Sequence, residues 1–388
     1  MADVILRIAQ EKDSITLNDF FSAIPVQGDL EMKVRRQDNF FSFYNRLGYP
    51  FRSVVLEQIK KQEKGSAQPE VLGTATFIFQ RRYLKTFEIK IAFACDLRIS
   101  SQRQAILNWS QHFTPQLENL KTGDQVEHVL TSINLSDLQL VNTFLRPRIR
   151  RGQRPLYELI TKFNLVSIHG FYPFKLDLNK NITASRAQNV DRPQLIKYLR
   201  KKFLEFDLVP SEYMNDFEKT IQSSLLYMWN QFIIAKDLDG EIVGCVYPLA
   251  STLLQDYFPQ NYTSQANNFR QFLKLASLLR FGRKLTKPFS STQKDETLNF
   301  RLLHFFFFDH PEVMKVLLNA AYEDSRQNEF LVYAYQDNQF SYRPPKGSIE
   351  VSFPYALYEI KNADPRLNSD PSLKRKVGFP LFLDHFWF

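Results

Sequence analysis

Short apolar runs and alternating segments along the chain predict a series of β-strands. Residues 51–59 and 71–79 are predicted to form a hairpin, joined by the polar stretch 60–70 with Gly65 and Pro69. Residues 87–99 first alternate and then become continuously apolar, as in a strand that enters a buried sheet. The other strands predicted in this half are 4–8, 126–134 and 163–174. The pattern therefore predicts a sheet whose central strand ends near Ile99.

Segments with helical periodicity lie between the predicted strands. Helical material is expected after the first strand through about Leu47, and again at 136–145. A longer helix follows the central strand, where Ala105, Ile106, Trp109 and Phe113 share one face. The polar stretch from about 177 to 189 is the predicted linker between domains 1–178 and 179–388.

The second half repeats this order of elements. It predicts helices at 191–206 and from Pro311, a hairpin at 230–250, and strands at 299–309, 329–335 and 348–360. A Glu–apolar–apolar–Gly pattern occurs in both halves and places Gly73 and Gly244 at the same point of the second hairpin strand. With an insert at about 251–298, the sequence predicts an α/β protein made of two copies of one unit. Each copy is expected to be a mixed, mostly antiparallel sheet flanked by helices.

The composition is that of a globular protein large enough for two cores. The 388 residues are 44% hydrophobic and 23% charged, and 50 basic against 41 acidic residues give a net charge of +9. The two cysteines, Cys95 and Cys245, lie in apolar runs and are predicted to be buried free thiols in a reducing compartment. Because no apolar run approaches the roughly 20 residues of a membrane span, the protein is expected to be cytoplasmic. The six histidines show no metal-ligand spacing.

This order of elements resembles the GNAT superfamily of acyl-CoA-dependent N-acyltransferases, here in tandem. The sequence DLRIS at Asp96–Ser100, Asn134 after the next strand and RPLY at Arg154–Tyr157 are similar to GNAT sequences. The resemblance implies acetyl-CoA or a longer acyl-CoA as cofactor, no metal, and an amine as acceptor. It assigns cofactor binding to Leu97, Arg98, Ile99, Gln102, Arg103, Gln104, Ala105, Ile106 and Asn134. It makes Asp96 the candidate base and Tyr157 the candidate acid.

The chain departs from the family at the loop that binds the pyrophosphate. Where the family has [Gln/Arg]-x-x-Gly-x-[Gly/Ala], this chain has residues 102–107, which contain no glycine. Glycine lets phosphates approach the backbone N–H groups of such a loop. Ser101 with Gln104 fits a capping box, and Asp309 with Glu312 fits one made of acidic groups, which would repel a pyrophosphate. Both loops are thus degenerate, and the first copy is the predicted cofactor site.

Three functions remain open from the sequence. The first is an N-acyltransferase that moves an acyl group from coenzyme A to an amine. The second is an inactive GNAT-fold binding or regulatory protein. The third is nucleic-acid binding through the basic stretches Arg146–Arg154 and Arg280–Lys287, although neither carries the interleaved aromatic residues that would stack bases. The acceptor, the acyl length, the oligomeric state and the role of the insert are left undetermined.

Overall fold

The computed structural model describes residues 3–59, 69–145, 155–173, 176–288, 296–362 and 373–384. The strands are β1 Asp3–Ile8, β2 Leu30–Arg35, β3 Phe51–Ile59, β4 Pro69–Leu84, β5 Phe87–Ile99, β6 His128–Asn134, β7 Leu156–Phe171, β8 Thr183–Arg186, β9 Val209–Pro210, β10 Ile233–Lys236, β11 Ile242–Ala250, β12 Asp256–Tyr262, β13 Asn299–Phe308, β14 Glu329–Gln336 and β15 Ser348–Lys361. The helices are α1 Ser14–Ala23, α2 Ser42–Leu47, α3 Arg103–Thr122, α4 Leu138–Leu140, α5 Arg192–Phe203, α6 Ser211–Ser223, α7 Ser264–Leu278, α8 Pro311–Asp324 and α9 Leu373–Lys376.

The two copies share one sheet instead of forming two. In the described residues this sheet has 13 strands, and its main path runs β1-β3-β4-β5-β6-β15-β7-β14-β13-β11-β10-β8. The last strand of each copy is inserted into the other copy: β15 pairs with β6 and β7, while β7 pairs with β15 and β14. The mixed sheet expected for each copy is present, and the two are joined into one because each copy borrows a strand from the other. The boundary near residue 178 stays a prediction.

The internal repeat has a structural cause at its two matching glycines. Gly73 lies opposite Ile99 at the end of β5, and Gly244 lies opposite Phe308 at the end of β13. A Cβ atom on Gly73 would lie 3.1 Å from the Trp109 ring, and one on Gly244 would lie 2.6 Å from Cγ1 of Val313. Each glycine thus lets the helix that follows the central strand, α3 or α8, pack closely on its hairpin.

Helices cover both faces of the sheet. One face carries α1, α2, α5 and α6, whose apolar side chains form a single cluster that spans both copies. The opposite face carries α3 over the first copy and α8 over the second, each with its own cluster. The charged residues of the first copy's candidate site point to the face whose apolar cluster spans both copies.

Three predicted segments differ from the structure. Residues 30–35, expected to be helical, form β2, which pairs with β12 of the insert in a two-stranded ribbon. The predicted linker contains β8, which pairs with β10 at the end of the sheet. Residues 211–223 form α6, where no helix was predicted. The loop residues 60–68 lie outside the described part of the chain.

The buried histidine of β7 gives the fold an acid-dependent stability. His169 is 3% exposed and lies between the rings of Phe330 and Phe269, and burial lowers its pKa to about 3. The unfolded chain binds a proton at this residue near pH 6.5 and the folded chain does not, so stability falls as the pH drops from 6.5 toward 3.

We expect His169 to remove about 2 kcal/mol of stability between pH 6.5 and pH 5, since each unit is worth about 1.4 kcal/mol. Denaturant unfolding at a series of pH values measures this slope. His169→Phe should flatten it, whereas His310→Gln, at an exposed position, should leave it in place. An unchanged slope in His169→Phe would assign the acid dependence to other groups.

Candidate functional site

The central strand of the first copy separates from its neighbour as it approaches α3. Strand β5 pairs with β6 in parallel over Ile91–Phe93 and His128–Leu130, and no further pair joins them in the described residues. Beyond that point β6 continues beside β15 as far as Asn134. A V-shaped opening, the β5–β6 cleft, therefore lies between residues 94–99 and 131–134. Along it, one edge of β5 presents backbone N–H and C=O groups that have no strand partner.

A β-bulge interrupts β5 beside this cleft. The register between β4 and β5 shifts between Thr74 and Thr76, and Asp96 adopts a left-handed backbone with φ of 55°. Such a conformation costs a residue other than glycine on the order of 1–2 kcal/mol. The bulge re-aims the side chain of Asp96 and the N–H groups that follow it. It is therefore a strained point of the first copy.

Asp96 points into a buried, charged cluster. Its carboxylate pairs with the guanidinium of Arg36 and accepts a hydrogen bond of 2.6 Å from the Tyr44 hydroxyl. The Arg36 side chain is fully buried, with its guanidinium carbon 3.9 Å from the ring centre of Phe43 and 5.0 Å from that of Phe21. Burial alone would raise the pKa of Asp96, but Arg36 and the Tyr44 hydrogen bond outweigh it and hold that pKa below its usual value.

The cluster carries more positive than negative charge. Arg98 lies over the Phe21 ring, 4.7 Å from its centre, and donates to the Leu97 carbonyl at 3.0 Å. Burial, together with the nearby Arg36, lowers the pKa of Arg98 despite the attraction of Asp96. In the described part of the chain, Nε and Nη1 of Arg36 and Nε of Arg98 are buried without a hydrogen-bond partner. Two guanidiniums thus surround one carboxylate at the bulge.

The strand-to-helix junction begins one residue later than the predicted capping box. Helix α3 begins at Arg103 with Gln102 as N-cap, and the Gln102 side chain makes no cap hydrogen bond. The box of Ser101 with Gln104 stays a prediction. The Gln102 carbonyl accepts from the N–H groups of Ala105 and Ile106. Because the Gln102 side chain does not cap it, the helix N-terminus stays suited to an anion.

The residues of the predicted phosphate loop have different environments. Ala105 is fully buried in the apolar cluster under α3, so its methyl group faces the core. Ile106 is 40% exposed in the first turn of the helix. Gln102 is exposed, and its amide lies 3.4 Å from Glu70. The side chains of Arg103 and Gln104 lie outside the described part of the structure.

The second copy has the same backbone and different chemistry. Its bulge residue is Phe305, with φ of 48°, at the position equivalent to Asp96. At its helix junction the N-cap is His310, which makes no side-chain cap hydrogen bond, so the predicted box of Asp309 with Glu312 is wrong. Asp309 instead pairs with Lys202 at 2.9 Å. The acidic junction predicted for this copy is present, but its carboxylate is neutralised by a lysine.

The chain itself fills the cleft of the second copy. Strands β13 and β14 pair over Asn299–Leu302 and then diverge, as β5 and β6 do. Leu381–Leu383 of the C-terminal segment lie between them, and the Leu381 carbonyl accepts from the Gln336 amide at 3.0 Å. A cavity of about 60 Å³ lined by these residues lies there. An acyl-CoA could enter this cleft only by displacing the segment.

The remaining predicted site residues are distributed around the first copy. Leu97 and Ile99 pack on the α3 side of β5, and Asn134 ends β6 opposite Tyr355 at the rim of the cleft. Tyr157 lies on β7, where it packs against Phe144 and Tyr358, and burial raises its pKa. Two strands separate β5 from β7, which puts Tyr157 roughly 14 Å from β5 at about 4.8 Å per strand. The structure does not bring Tyr157 to Asp96.

Other predicted groups are only partly described. The basic stretch Arg146–Arg154 lies outside the described residues. Within them, no cluster of His, Cys, Asp or Glu could hold a metal ion. Among the helices that are described, none has both the length and the apolar character needed to cross a membrane. Cys95 and Cys245 are free thiols, as predicted, although Cys95 is only half-buried.

Comparison with solved structures identifies the fold. The chain is similar to the N-myristoyltransferase of Saccharomyces cerevisiae with bound myristoyl-CoA, with a TM-score of 0.50 and 10% identity over 99% of this chain and 90% of that one. It is also similar to a GCN5-related N-acetyltransferase from Sphaerobacter thermophilus, with a TM-score of 0.49 and 11% identity over 93% and 96%. No family model and no curated protein matches the sequence. The likeness to the N-myristoyltransferase shows the fold, which is a GNAT-type fold in tandem, as the sequence predicted.

Proposed function

We propose that the first copy binds an acyl-CoA in the β5–β6 cleft and transfers its acyl group to an amine. The observation that carries this proposal is the combination of cleft, bulge and polar cluster at Asp96 in the first copy. The second copy keeps the cleft and the bulge but has Phe305 in place of Asp96 and fills the cleft with Leu381–Leu383. The similarity to an N-myristoyltransferase with bound myristoyl-CoA supports an acyl-CoA as the donor.

The backbone of β5 would supply the hydrogen-bond donors that polarise the thioester carbonyl. Its N–H groups around Leu97 and Ile99 lie on the strand edge that β6 leaves unpaired, so they can donate to the thioester carbonyl. Those donors stabilise the negative charge that forms on this oxygen when the amine attacks. The N-terminus of α3, with Gln102, Arg103 and Gln104, would hold the pyrophosphate through its N–H groups and dipole.

Asp96 would orient the acceptor amine. The lowered pKa keeps its carboxylate ionised, so it can accept a hydrogen bond from the amine and receive its proton through water as the C–N bond forms. The thiolate of coenzyme A leaves with the electron pair of the broken C–S bond. Tyr157 stays a prediction as the acid that protonates it. The insert of the second copy borders this site, since the Gln37 amide donates to the Thr252 carbonyl at 3.0 Å.

Calorimetric titration with acetyl-CoA and with a long-chain acyl-CoA tests the donor site. We expect saturable binding that becomes about threefold to tenfold tighter in Ile106→Ala, because the exposed isoleucine side chain lies in the first turn of α3, where the pyrophosphate would be held. Ile15→Ala, at a position 78% exposed on α1, is the matched control and should leave the affinity unchanged. Absence of heat with both donors, in the wild type and in Ile106→Ala, would contradict the proposal.

An inactive GNAT-fold binding protein is the second candidate, favoured by the loop without glycine. Screening amines with a bound acyl-CoA separates the two candidates, since thiol release with an amine requires the transferase. Binding without thiol release for any amine would support the inactive protein. Ala105→Gly is a poor test of either candidate, because the buried methyl group of Ala105 does not face the phosphate position.

A further inference from the structure

The insert of the second copy exposes an unusual group of leucines. At the C-terminal end of α7, Leu275 is 62% exposed, Leu278 is 68% exposed, and Leu279 directly after the helix is 70% exposed. Their spacing of three and four residues puts them on one side of the helix. The opposite side, with Leu273 and Ala276, is buried against the protein. Single exposed leucines are common, but three adjacent ones mark an interaction surface.

The same region carries positive charge only. From residue 257 to residue 294 the sequence contains seven lysines and arginines and no aspartate or glutamate. Four of the cations are exposed: Lys274 and Arg280, which are next to the leucines in the chain, and Lys284 and Lys287, which follow within eight residues of Leu279. Arg283 differs from these, because it turns inward and donates to the Tyr322 carbonyl at 2.8 Å. In a chain with 41 acidic residues, a stretch of this length without one is a marked segregation of charge.

The end of α7 keeps an arginine where glycine would fit better. Arg280 has a left-handed backbone, with φ of 64°, and the Phe281 N–H reaches back to the Ala276 carbonyl at 3.1 Å. This is the helix-ending position that glycine fills without strain. An arginine at this position makes the protein less stable than glycine would, and it adds a cation next to the exposed leucines. Strain that is kept in this way points to a function for the side chain.

We propose that Leu275, Leu278 and Leu279, with the four exposed cations, form a surface that docks on an anionic lipid bilayer. Leucines that enter the interface between cations that face lipid headgroups are the pattern of interfacial helices. A nucleic acid would use the cations but gain little from exposed leucines, which cannot stack on bases. An acidic protein partner is the alternative that would be favoured if the wild type did not bind anionic vesicles. This surface is independent of the donor site.

Sedimentation with lipid vesicles tests the surface on the whole chain. We expect binding to vesicles of mixed neutral and anionic lipid, weak binding to neutral vesicles, and loss of binding as salt rises from about 0.05 to about 0.5 M. Changing all three leucines to serine should weaken binding at least about tenfold. The control changes Leu204 and Leu238, which are 67% and 77% exposed elsewhere, to serine and should stay within about twofold of wild type.

Arg280→Gly should change thermal stability and vesicle binding in opposite directions, which gives a second test. It removes both a cation and the left-handed strain, so it should raise the temperature of thermal unfolding while weakening vesicle binding about fivefold. A merely structural role for Arg280 would change the first quantity and leave the second unchanged.

The proposal is overturned by equal binding to neutral and anionic vesicles, or by a triple-serine variant that binds as well as the wild type. It is also overturned if the wild type fails to bind anionic vesicles and forms dimers that the triple-serine variant cannot form. That last result would make this surface an interface between copies of the chain. Thermal unfolding of each variant checks that it is folded.

Discussion

Replacing Asp207 by alanine is expected to lower the free energy of unfolding by about 5 kcal/mol, which is exceptional for one substitution. Asp207 is fully buried just before β9. Its carboxylate accepts three backbone hydrogen bonds, from Lys85 at 2.8 Å, Gly378 at 2.7 Å and Phe379 at 2.8 Å. Alanine would leave these three part-buried N–H groups without their acceptor, at about 1–3 kcal/mol each.

The position of Asp207 explains why so much depends on it. Lys85 lies in the turn between β4 and β5 of the first copy, while Gly378 and Phe379 belong to the C-terminal segment that fills the second cleft. One carboxylate therefore joins both copies and the segment. Its loss should also expose the segment to proteolysis, because the backbone groups that dock it lose their main partner.

Graded variants test whether the hydrogen bonds carry the effect. Asp207→Asn keeps one carbonyl oxygen and presents an N–H₂ group to a donor, so it should cost about 2 kcal/mol. Asp237→Ala is the control: its carboxylate also accepts two backbone N–H groups, but in an exposed turn where water replaces it, and about 1 kcal/mol or less is expected. Denaturant unfolding measures all three variants. A loss in Asp207→Ala no larger than in Asp237→Ala would show that the segment docks by apolar contacts instead.

The sequence predicts the central strands well, because their apolar pattern is set locally. The bounds of β3 and β5 are those expected, 51–59 and 87–99. The match between Gly73 and Gly244 also identified the repeat, since a helix packs closely on each glycine. Such features depend on residues that are close in the chain or on a constraint that both copies share.

The exchange of β7 and β15 could not be predicted in the same way. Each strand has the pattern expected at the end of its own copy, and which neighbour it pairs with depends on contacts up to about two hundred residues away. Strand β8 was missed for another reason: at the end of the sheet its residues are mostly exposed, so they have no apolar pattern. Strand β2 does alternate, as LEMKVR, and that signal was available but was assigned to a helix.

The sequence identified Asp96 of the candidate site but not the residues that pair with it. Asp96 stood out as the strand-end residue of a familiar pattern, but its partners lie 60 and 52 residues earlier, at Arg36 and Tyr44. No local sequence pattern identifies these two residues, because an arginine that follows another arginine is typical of an exposed segment. Arg36 and Tyr44 meet Asp96 only because the segment that holds them, from the end of β2 to α2, folds over the bulge. Only the positive φ at Asp96, which the sequence does not show, marks the point where they converge.

The Arg36–Asp96 pair gives the other large expected effect. Arg36→Met should lower the free energy of unfolding by about 4 kcal/mol, because it leaves a buried carboxylate without its guanidinium. Asp96→Asn should also destabilise, and the double variant should lose less than the sum of the two single losses, since the second change removes a charge already unpaired. Arg81→Met, which breaks an exposed pair with Glu88, is the control and should cost less than about 1 kcal/mol.

The pH dependence of Arg36→Met separates a lost charge pair from lost packing. In the wild type the pKa of Asp96 is lowered, so the pair stabilises at neutral pH and its contribution is lost only in strong acid. Without Arg36 the pKa of Asp96 should rise, because burial is then opposed only by Arg98 and the Tyr44 hydrogen bond. The cost of the variant is then largest at neutral pH and shrinks as the carboxyl is protonated. The gap between wild type and variant should therefore close from pH 7 toward about pH 4. A gap that is constant over this range would mean that Arg36 acts through its contacts with the rings of Phe21 and Phe43. Asp96 would then owe its place at the bulge to the backbone of β5 alone.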